Sequence, residues 1–249
     1  MEQEVVVSRS SNAKTAVKDL TGKLKRATGD YHAVIFMAAI SFDFEELSKE
    51  IAACFPKAQV IGTSTAGEIS PEGFLNNTVV LTTMYSPESK IHGALIENGS
   101  RYPVSSKNEI EKAMTFCGIQ KNSPLSGKNA FAITFINGVH NAEETILSTL
   151  YSIIGNDSFP LAGGTAGYTG STAVTYVSFN GRTTQDAAAL LFIKTSCKFD
   201  IRQEDIFNPT GKRGLVTGAD PISRTIKSLN GKPAQTVYAQ QLGVSESQA

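Results

Sequence analysis

Apolar residues recur at helical spacing in two stretches near the start of the chain. The first, SSNAKTAVKDLTGKLKR, has one apolar face, and Ser11 or Asn12 can cap its first turn. The second, DFEELSKEIAACF, begins with Asp43 three residues before Glu46, which is a capping-box pattern. The pattern therefore predicts two amphipathic helices in this region.

Short apolar runs alternate with these helices and predict strands. HAVIFMAA is apolar almost throughout, which is typical of a strand that is buried on both faces. QVIGTS is a brief strand that ends in a glycine-rich turn. The predicted strands of this region are EVVVS, HAVIFMAA, QVIGTS, TVVLTTMY and KIHGALIE.

The second half of the chain repeats most of this order. It contains the helices NEIEKAMTFCGI and NAEETILSTLYSII and the strands FAITFI, FPLAGG, VTYVSF and AALLFIK. The tripeptide Thr-Ala-Gly at 65–67 recurs 100 residues later at 165–167, whereas the Ala-Leu pairs of the last strands differ by 95. A constant offset with one slip indicates an internal duplication followed by a loop deletion.

These elements predict an α/β fold, with a mixed-sheet α+β arrangement as the alternative. Its duplicated α-β-α-β-β-β units contain mixed sheets covered by helices. The pair Asn180-Gly181 favours a type I′ turn that joins VTYVSF to AALLFIK. The pattern leaves open whether the two sheets pack together or continue side by side.

The pattern also predicts a domain boundary. Residues 1–197 form one domain of two repeats, about 1–100 and 101–197, and residues 198–249 form a connecting segment. In this segment a helix begins at Pro233 and ends near Gly243. Because little chain follows to pack against that helix, we expect the native gene product to continue beyond its residue 249.

Composition and charge exclude several classes of protein. The 249 residues are 41% hydrophobic, and 23 basic residues balance 23 acidic ones, so no overall field attracts nucleic acid or an anionic membrane. Three separated cysteines favour reduced thiols, and no spacing is typical of a metal site. Since neither a secretory signal nor a membrane-spanning run is evident, we expect a cytoplasmic protein.

The glycine-rich turn GGTAG is the first candidate for a binding site. It places several N–H groups around a small concavity, and glycine allows a ligand to approach the main chain. Neither GxGxxG nor GK[ST] is present, which argues against a nucleotide loop. Two interpretations stay open, an anion site and close packing of the two repeats where equivalent turns meet, and both hold if a site lies between the repeats.

No catalytic pattern is evident. The hydroxyls of Ser64, Thr65 and Thr165 lie outside any GxSxG sequence, and no histidine or acid is spaced as in a catalytic triad. Glu68 and Glu72 are interpreted as carboxylates that favour a helix N-terminus or solvent, and not as an acid–base pair. The chain is therefore predicted not to be an enzyme, with an unrecognised hydrolase or transferase as an alternative.

The three histidines matter because haem or a metal requires a ligand. His32 is interpreted as a loop residue, and His92 lies in a predicted strand. His140 follows the strand FAITFI and precedes a helix, where the carboxyl ends of strands commonly line a ligand crevice. A hydrogen-bonded structural histidine is the competing interpretation.

Several segments together resemble the N-terminal region of FIST domains, a family of bacterial signal-transduction proteins. They are VIGTSTAGEI, FINGVHNAEETIL, FPLAGGTAGY, VSFNGR and AALLFI, and the similarity covers roughly residues 5–245. The tail GKPAQTVYAQQLG resembles the junction at which the family's C-terminal region begins. Residues 198–249 are therefore predicted to include the start of a truncated C-type region.

The resemblance implies a cytoplasmic sensory module. Such a module binds a small ligand, for example an amino acid or a carboxylate, and reports to a histidine kinase, a chemoreceptor or a cyclic-dinucleotide enzyme. Some members of the family are haem proteins that sense nitric oxide. Tyr168 stands where an aspartate is frequent in the family, so amine binding at this position is in doubt, although the ring can stack on a ligand or donate its hydroxyl.

The leading hypothesis is a non-enzymatic sensor without a cofactor, able to form a homodimer and not binding nucleic acid or membrane. Main-chain N–H groups at 164–167 would bind a ligand carboxylate. Under the alternative, haem would sense nitric oxide, with His140 as the preferred axial ligand and His92 as the second choice. The predicted ligand-binding residues are Ser64, Thr65, Gly67, Asn137, His140, Gly164, Thr165, Gly167 and Tyr168.

Overall fold

Capping residues set the ends of most helices in the computed structural model. The Asn12 side chain accepts a hydrogen bond from the N–H of Thr15, and Asp43 accepts one from Glu46. Three helices end at glycines in the left-handed conformation. The helices are α1 (Ala13–Gly22), α2 (Phe44–Cys54), α3 (Lys107–Cys117), α4 (Glu143–Ile154) and α5 (Ala234–Leu242).

The chain divides into two units, Met1–Ile201 and Arg202–Ala249. The first unit contains the predicted repeats, and the second contains α5. The structure describes residues 1–123, 128–171, 173–202, 207–221 and 223–248.

A six-stranded mixed sheet forms the first layer of strands in the first unit. Across the sheet the order is β1 (Glu2–Ser8), β6 (Val79–Tyr85), β2 (Ala33–Ala39), β3 (Gln59–Thr65), β10 (Val177–Phe179) and β11 (Arg182–Thr184). The strands β2 and β3 are parallel, and β6 is antiparallel to both of its neighbours. A separate short hairpin, β4 (Glu68–Ser70) and β5 (Gly73–Leu75), follows β3.

A four-stranded mixed sheet forms the second layer. Its order is β7 (Lys90–Glu97), β12 (Ala187–Lys194), β8 (Ala130–Ile136) and β9 (Leu161–Thr165). Here β8 and β9 are parallel, and β12 is antiparallel to both of its neighbours. The order matches β1-β6-β2-β3 of the first sheet, strand for strand.

The strand KIHGALIE lies in the second sheet as β7, in the place that β1 has in the first sheet. The repeat pattern in the sequence had placed this strand in the first repeat. The runs that form β7 and β12 are both largely buried and apolar, so their composition does not show which sheet each one joins.

The turn at Asn180-Gly181 has positive φ at both residues, 47° and 81°, as a type I′ turn requires. It joins β10 to β11, and this hairpin pairs with β3 of the first sheet. The prediction that the turn leads directly into AALLFIK was wrong, because that run forms β12 in the other sheet.

Three apolar cores show that the two sheets pack face to face. One core lies between α1, α2 and the first sheet, and a second lies between α3, α4 and the second sheet. The third contains side chains from both sheets, including Ile61, Met84, Leu95, Phe135 and Leu191. The first unit is therefore a four-layered α/β/β/α structure, which confirms the predicted α/β fold.

The second unit contains a three-stranded antiparallel sheet, in the order β13 (Val216–Asp220), β14 (Thr225–Leu229) and β15 (Lys232–Pro233). Helix α5 follows, with Pro233 before its first residue and Gly243 after its last. Across the described residues of both units, no helix is long and apolar enough to span a membrane.

Candidate functional site

The two Thr-Ala-Gly turns meet at Ser64, the buried penultimate residue of β3. The Ser64 hydroxyl donates to the carbonyl oxygen of Gly167 and accepts from the N–H of Tyr176, each at 2.9 Å. The main chain of Ser64 also accepts from Gly167 N–H and donates to the Tyr176 carbonyl oxygen, again at 2.9 Å. Four hydrogen bonds thus join the first repeat to the loop that follows β9.

Gly167 is required at this junction because the two turns approach so closely. A Cβ atom at residue 167 would lie 2.9 Å from the main-chain nitrogen of Ala66, and Cβ atoms essentially never approach other atoms so closely. The structure therefore supports the interpretation that equivalent turns of the repeats pack together.

Glu68 holds the first Thr-Ala-Gly turn in place through hydrogen bonds. Its side chain is fully buried, and its carboxylate accepts from the hydroxyl of Thr65 at 2.5 Å and from that of Thr78 at 2.7 Å. The N–H of Thr78 donates to the same carboxylate at 3.2 Å. Glu68 is therefore a structural carboxylate, and its interpretation as a residue at a helix N-terminus or in solvent was wrong.

The turn after β9 offers fewer free amides than its sequence suggests. The N–H of Ala166 donates to the carbonyl oxygen of Ile136 at 2.8 Å, and that of Gly167 is bonded to Ser64. Gly164 and Thr165 are exposed on β9. A cradle of four N–H groups at 164–167, as the carboxylate hypothesis supposed, is therefore not available there.

The Asn137-to-His140 loop is held by Asn137, which is buried. Its amide donates to the carbonyl oxygen of Thr175 at 2.7 Å, and its side-chain oxygen accepts from Val139 N–H at 3.2 Å. His140 is exposed, and the Tyr168 side chain is 40% exposed. The structure thus brings Asn137 close to the loop before β10 and leaves His140 and Tyr168 at the surface.

A cavity of about 780 Å³ lies at the start of α2, close to this junction. Ile40 and residues 42–45 of the first repeat form one side. Residues of the second repeat form the other side, so the cavity is built from both repeats. The second set comprises Thr169, Val174, Tyr176, Thr183, Thr184 and Gln185.

The lining of this cavity is acidic and aromatic. Asp43 and Glu45 are charged, and none of the described lining residues is a lysine, arginine or histidine. The Glu45 carboxylate pairs with Lys49 at 2.5 Å, whereas the second oxygen of Asp43 is not needed for the cap. The rings of Phe44 and Tyr176 are stacked, with centroids 5.4 Å apart. Such a lining favours a ligand that carries a positive charge.

Thr183 adds a hydroxyl to the lining. Its Oγ1 atom is buried and has no hydrogen-bond partner among the described residues. A buried hydroxyl without a partner is costly, and because this atom is not accessible, a ligand in the cavity could bond to it only after the Thr183 side chain rotates.

None of the nine predicted ligand-binding residues lines this cavity. The nearest in sequence is Tyr168, which precedes the lining residue Thr169. The missed residues had one signal in the sequence. Asp43 to Glu45 follow a buried strand and open a helix, the position at which crevices form in α/β sheets.

The three histidines lie in different surroundings. His140 is exposed, and the His92 ring packs against Phe116 with centroids 4.6 Å apart, where burial lowers the pKa of His92. His32 accepts a hydrogen bond from Ser86 N–H. Haem binding therefore stays a prediction. In the described ranges, no cluster of three or more His, Cys, Asp or Glu could hold a metal ion.

Comparison with known proteins identifies related chains. A family model described as the FIST N domain matches residues 32–232. An uncharacterized protein of Methanocaldococcus jannaschii is 24% identical over 237 residues, which cover 92% of this chain and 45% of that protein. The chain thus spans less than half the length of this curated relative.

Among solved structures, a cyanuric acid hydrolase from A. caulinodans superposes with a TM-score of 0.38 and 9% identity. The match covers 74% of this chain and 64% of the hydrolase. A similarity at this level indicates neither a shared activity nor a shared site.

Proposed function

The chain belongs to the FIST N domain family, and from that premise we propose that it senses a small amine, such as an amino acid, in the cavity at the start of α2. The family is a sensory one, so the chain is a module of signal transduction. The observation that carries the proposal is the composition of the cavity, which combines two carboxylates with a stacked aromatic pair and has no basic side chain among its described lining residues.

An amine fits this lining for two reasons. Its positive charge is attracted by Asp43, which forms no ion pair with a described residue, and by the ring of Tyr176, whereas the charge of Glu45 is already shared with Lys49. The volume of about 780 Å³ lies within the range of small-molecule sites. If the ligand is an amino acid, the amide of Gln185, which is exposed, can donate a hydrogen bond to its carboxylate.

A bound ligand can affect both repeats through the hydrogen bonds of Ser64 with Gly167 and Tyr176. Tyr176 lines the cavity, and its N–H donates to the Ser64 hydroxyl, which in turn donates to Gly167. A ligand that orders Tyr176 therefore stabilises the contact between the repeats. We propose that a partner protein reads this change, and that no chemical step on the ligand is needed. A histidine kinase, a chemoreceptor or a cyclic-dinucleotide enzyme would be such a partner.

A thermal-shift screen tests the proposal. Each amino acid is compared with its decarboxylated amine and with the acid that lacks the amino group. We expect at least one amino compound to raise the melting temperature, and the matching acid to have no effect. Asp43→Asn should weaken its binding about tenfold or more, because asparagine retains the helix cap but removes the charge.

Glu46→Gln is the matched control, since Glu46 lies in the same helical turn but does not line the cavity. It should bind as the wild type does. The proposal is contradicted if no amino compound shifts the melting temperature, if the acids alone do so, or if Asp43→Asn binds as tightly as the wild type.

A further inference from the structure

A second cavity, of about 360 Å³, lies at the end of the second sheet where β7 begins and β12 ends. Lys90 and Lys194 are direct partners in the antiparallel ladder between these strands. Two like charges that face each other across a ladder repel. The Nζ of Lys194 donates to the carbonyl oxygen of Gly118 at the end of α3, at 2.7 Å, which holds one of the two ammonium groups in place.

Two further lysines, Lys128 and Lys198, line the same cavity. None of the four lysines forms an ion pair with a residue that the structure describes. Elsewhere on the first unit, exposed lysines do form ion pairs, as Lys49 does with Glu45 and Lys112 with Glu109. The chain as a whole has equal numbers of basic and acidic residues, so this concentration of positive charge is local. It creates a focused positive potential in a concave site.

Glu88 is the one carboxylate that lines the cavity, and its charge is already compensated. It accepts hydrogen bonds from the Ser86 hydroxyl at 2.7 Å and from the N-terminal ammonium group of Met1 at 3.1 Å. The bond from Ser86, followed by other hydrogen bonds, lowers the pKa of Glu88 to about 2. Glu88 therefore stays ionised and engaged with these donors, and it does not neutralise the lysines.

We propose that this cavity binds a small phosphate-bearing molecule. Ammonium groups are strong donors to phosphate oxygens, and the hydroxyl of Ser196 on the rim can add a neutral donor. The volume is at the lower end of that of small-molecule sites, and the lysines surround a cavity instead of forming a track. A compact phosphate group fits this arrangement better than a polymer.

Isothermal titration calorimetry of the full chain with inorganic pyrophosphate tests this site. We expect one molecule to bind per chain and the affinity to fall as salt increases. The double variant Lys90→Gln/Lys198→Gln should bind at least tenfold more weakly. Lys194 is left unchanged, because its ammonium group also bonds to the end of α3.

The control is the double variant Lys18→Gln/Lys57→Gln, which removes two exposed lysines that do not line the cavity. It should bind pyrophosphate like the wild type, and unfolding curves verify that both variants fold. Three results would overturn the proposal: no binding of pyrophosphate at millimolar concentration, an equal loss in the control, or tighter binding of a short oligonucleotide that both double variants weaken equally.

Discussion

Gly163→Ala is expected to destabilise the first unit by about 3 kcal/mol or more. A Cβ atom at residue 163 would lie 1.8 Å from the carbonyl oxygen of Thr134 on the neighbouring strand, and the φ of +156° is one that L-residues rarely adopt. Because that oxygen belongs to the ladder between β8 and β9, relief of the clash requires the strands to separate.

The adjacent Gly164→Ala is the matched control. A Cβ atom there has no neighbour within 4 Å, so its free energy of unfolding should change by about 0.5 kcal/mol or less. Urea unfolding followed by far-UV circular dichroism measures both changes, since the chain contains no tryptophan to report by fluorescence. Similar stabilities for the two variants would show that β9 does not pair with β8 in the described register.

Ser64→Ala is expected to lower the free energy of unfolding by about 2 to 4 kcal/mol. The change removes the hydroxyl that joins Gly167 to Tyr176. The carbonyl oxygen of Gly167 and the N–H of Tyr176 then lose this hydrogen-bond partner. Such unpaired groups inside a protein are costly because they have lost water as well.

Ser48→Ala provides the comparison for this effect. Ser48 is equally buried, but its hydroxyl has no partner among the described residues. Its removal should leave stability unchanged or raise it slightly. If the two serine variants lose the same free energy, then cavity formation and not the junction between the repeats explains the Ser64 result.

The duplication could be predicted from sequence because it leaves a regular trace. The repeated tripeptide Thr-Ala-Gly and the alternation of helices and strands identified two related units. The two copies of the tripeptide also marked the turns that are in contact in the structure. Helix ends at Asp43 and Gly243 were also predictable, since caps act through local hydrogen bonds.

The assignment of strands to sheets could not be predicted from the pattern. KIHGALIE and AALLFIK are both buried apolar strands, and their partners lie far away in sequence. The hairpin of β10 and β11 crosses from the second repeat to the edge of the first sheet. Pairing of this kind depends on tertiary packing, which short-range periodicity does not encode.

The candidate site was missed for a related reason. Glycine-rich turns are commonly interpreted as ligand-binding loops, but here Gly167 allows two main-chain segments to pack closely. The cavity instead combines Phe44 and Asp43 with Tyr176 and Thr183, which are more than 130 residues later in the sequence. Only the packing of the two repeats brings these side chains together.

Chemical-shift mapping tests the location of the sensory site most directly. Isotope-labelled protein is titrated with the amino compound that gives the largest thermal shift. The proposed site predicts that the amide signals of Phe44, Glu45, Thr183 and Gln185 move most, and that Asp43→Asn suppresses these changes. Shifts that concentrate at His140 and at residues 164–168, with the cavity signals unmoved, would contradict the account.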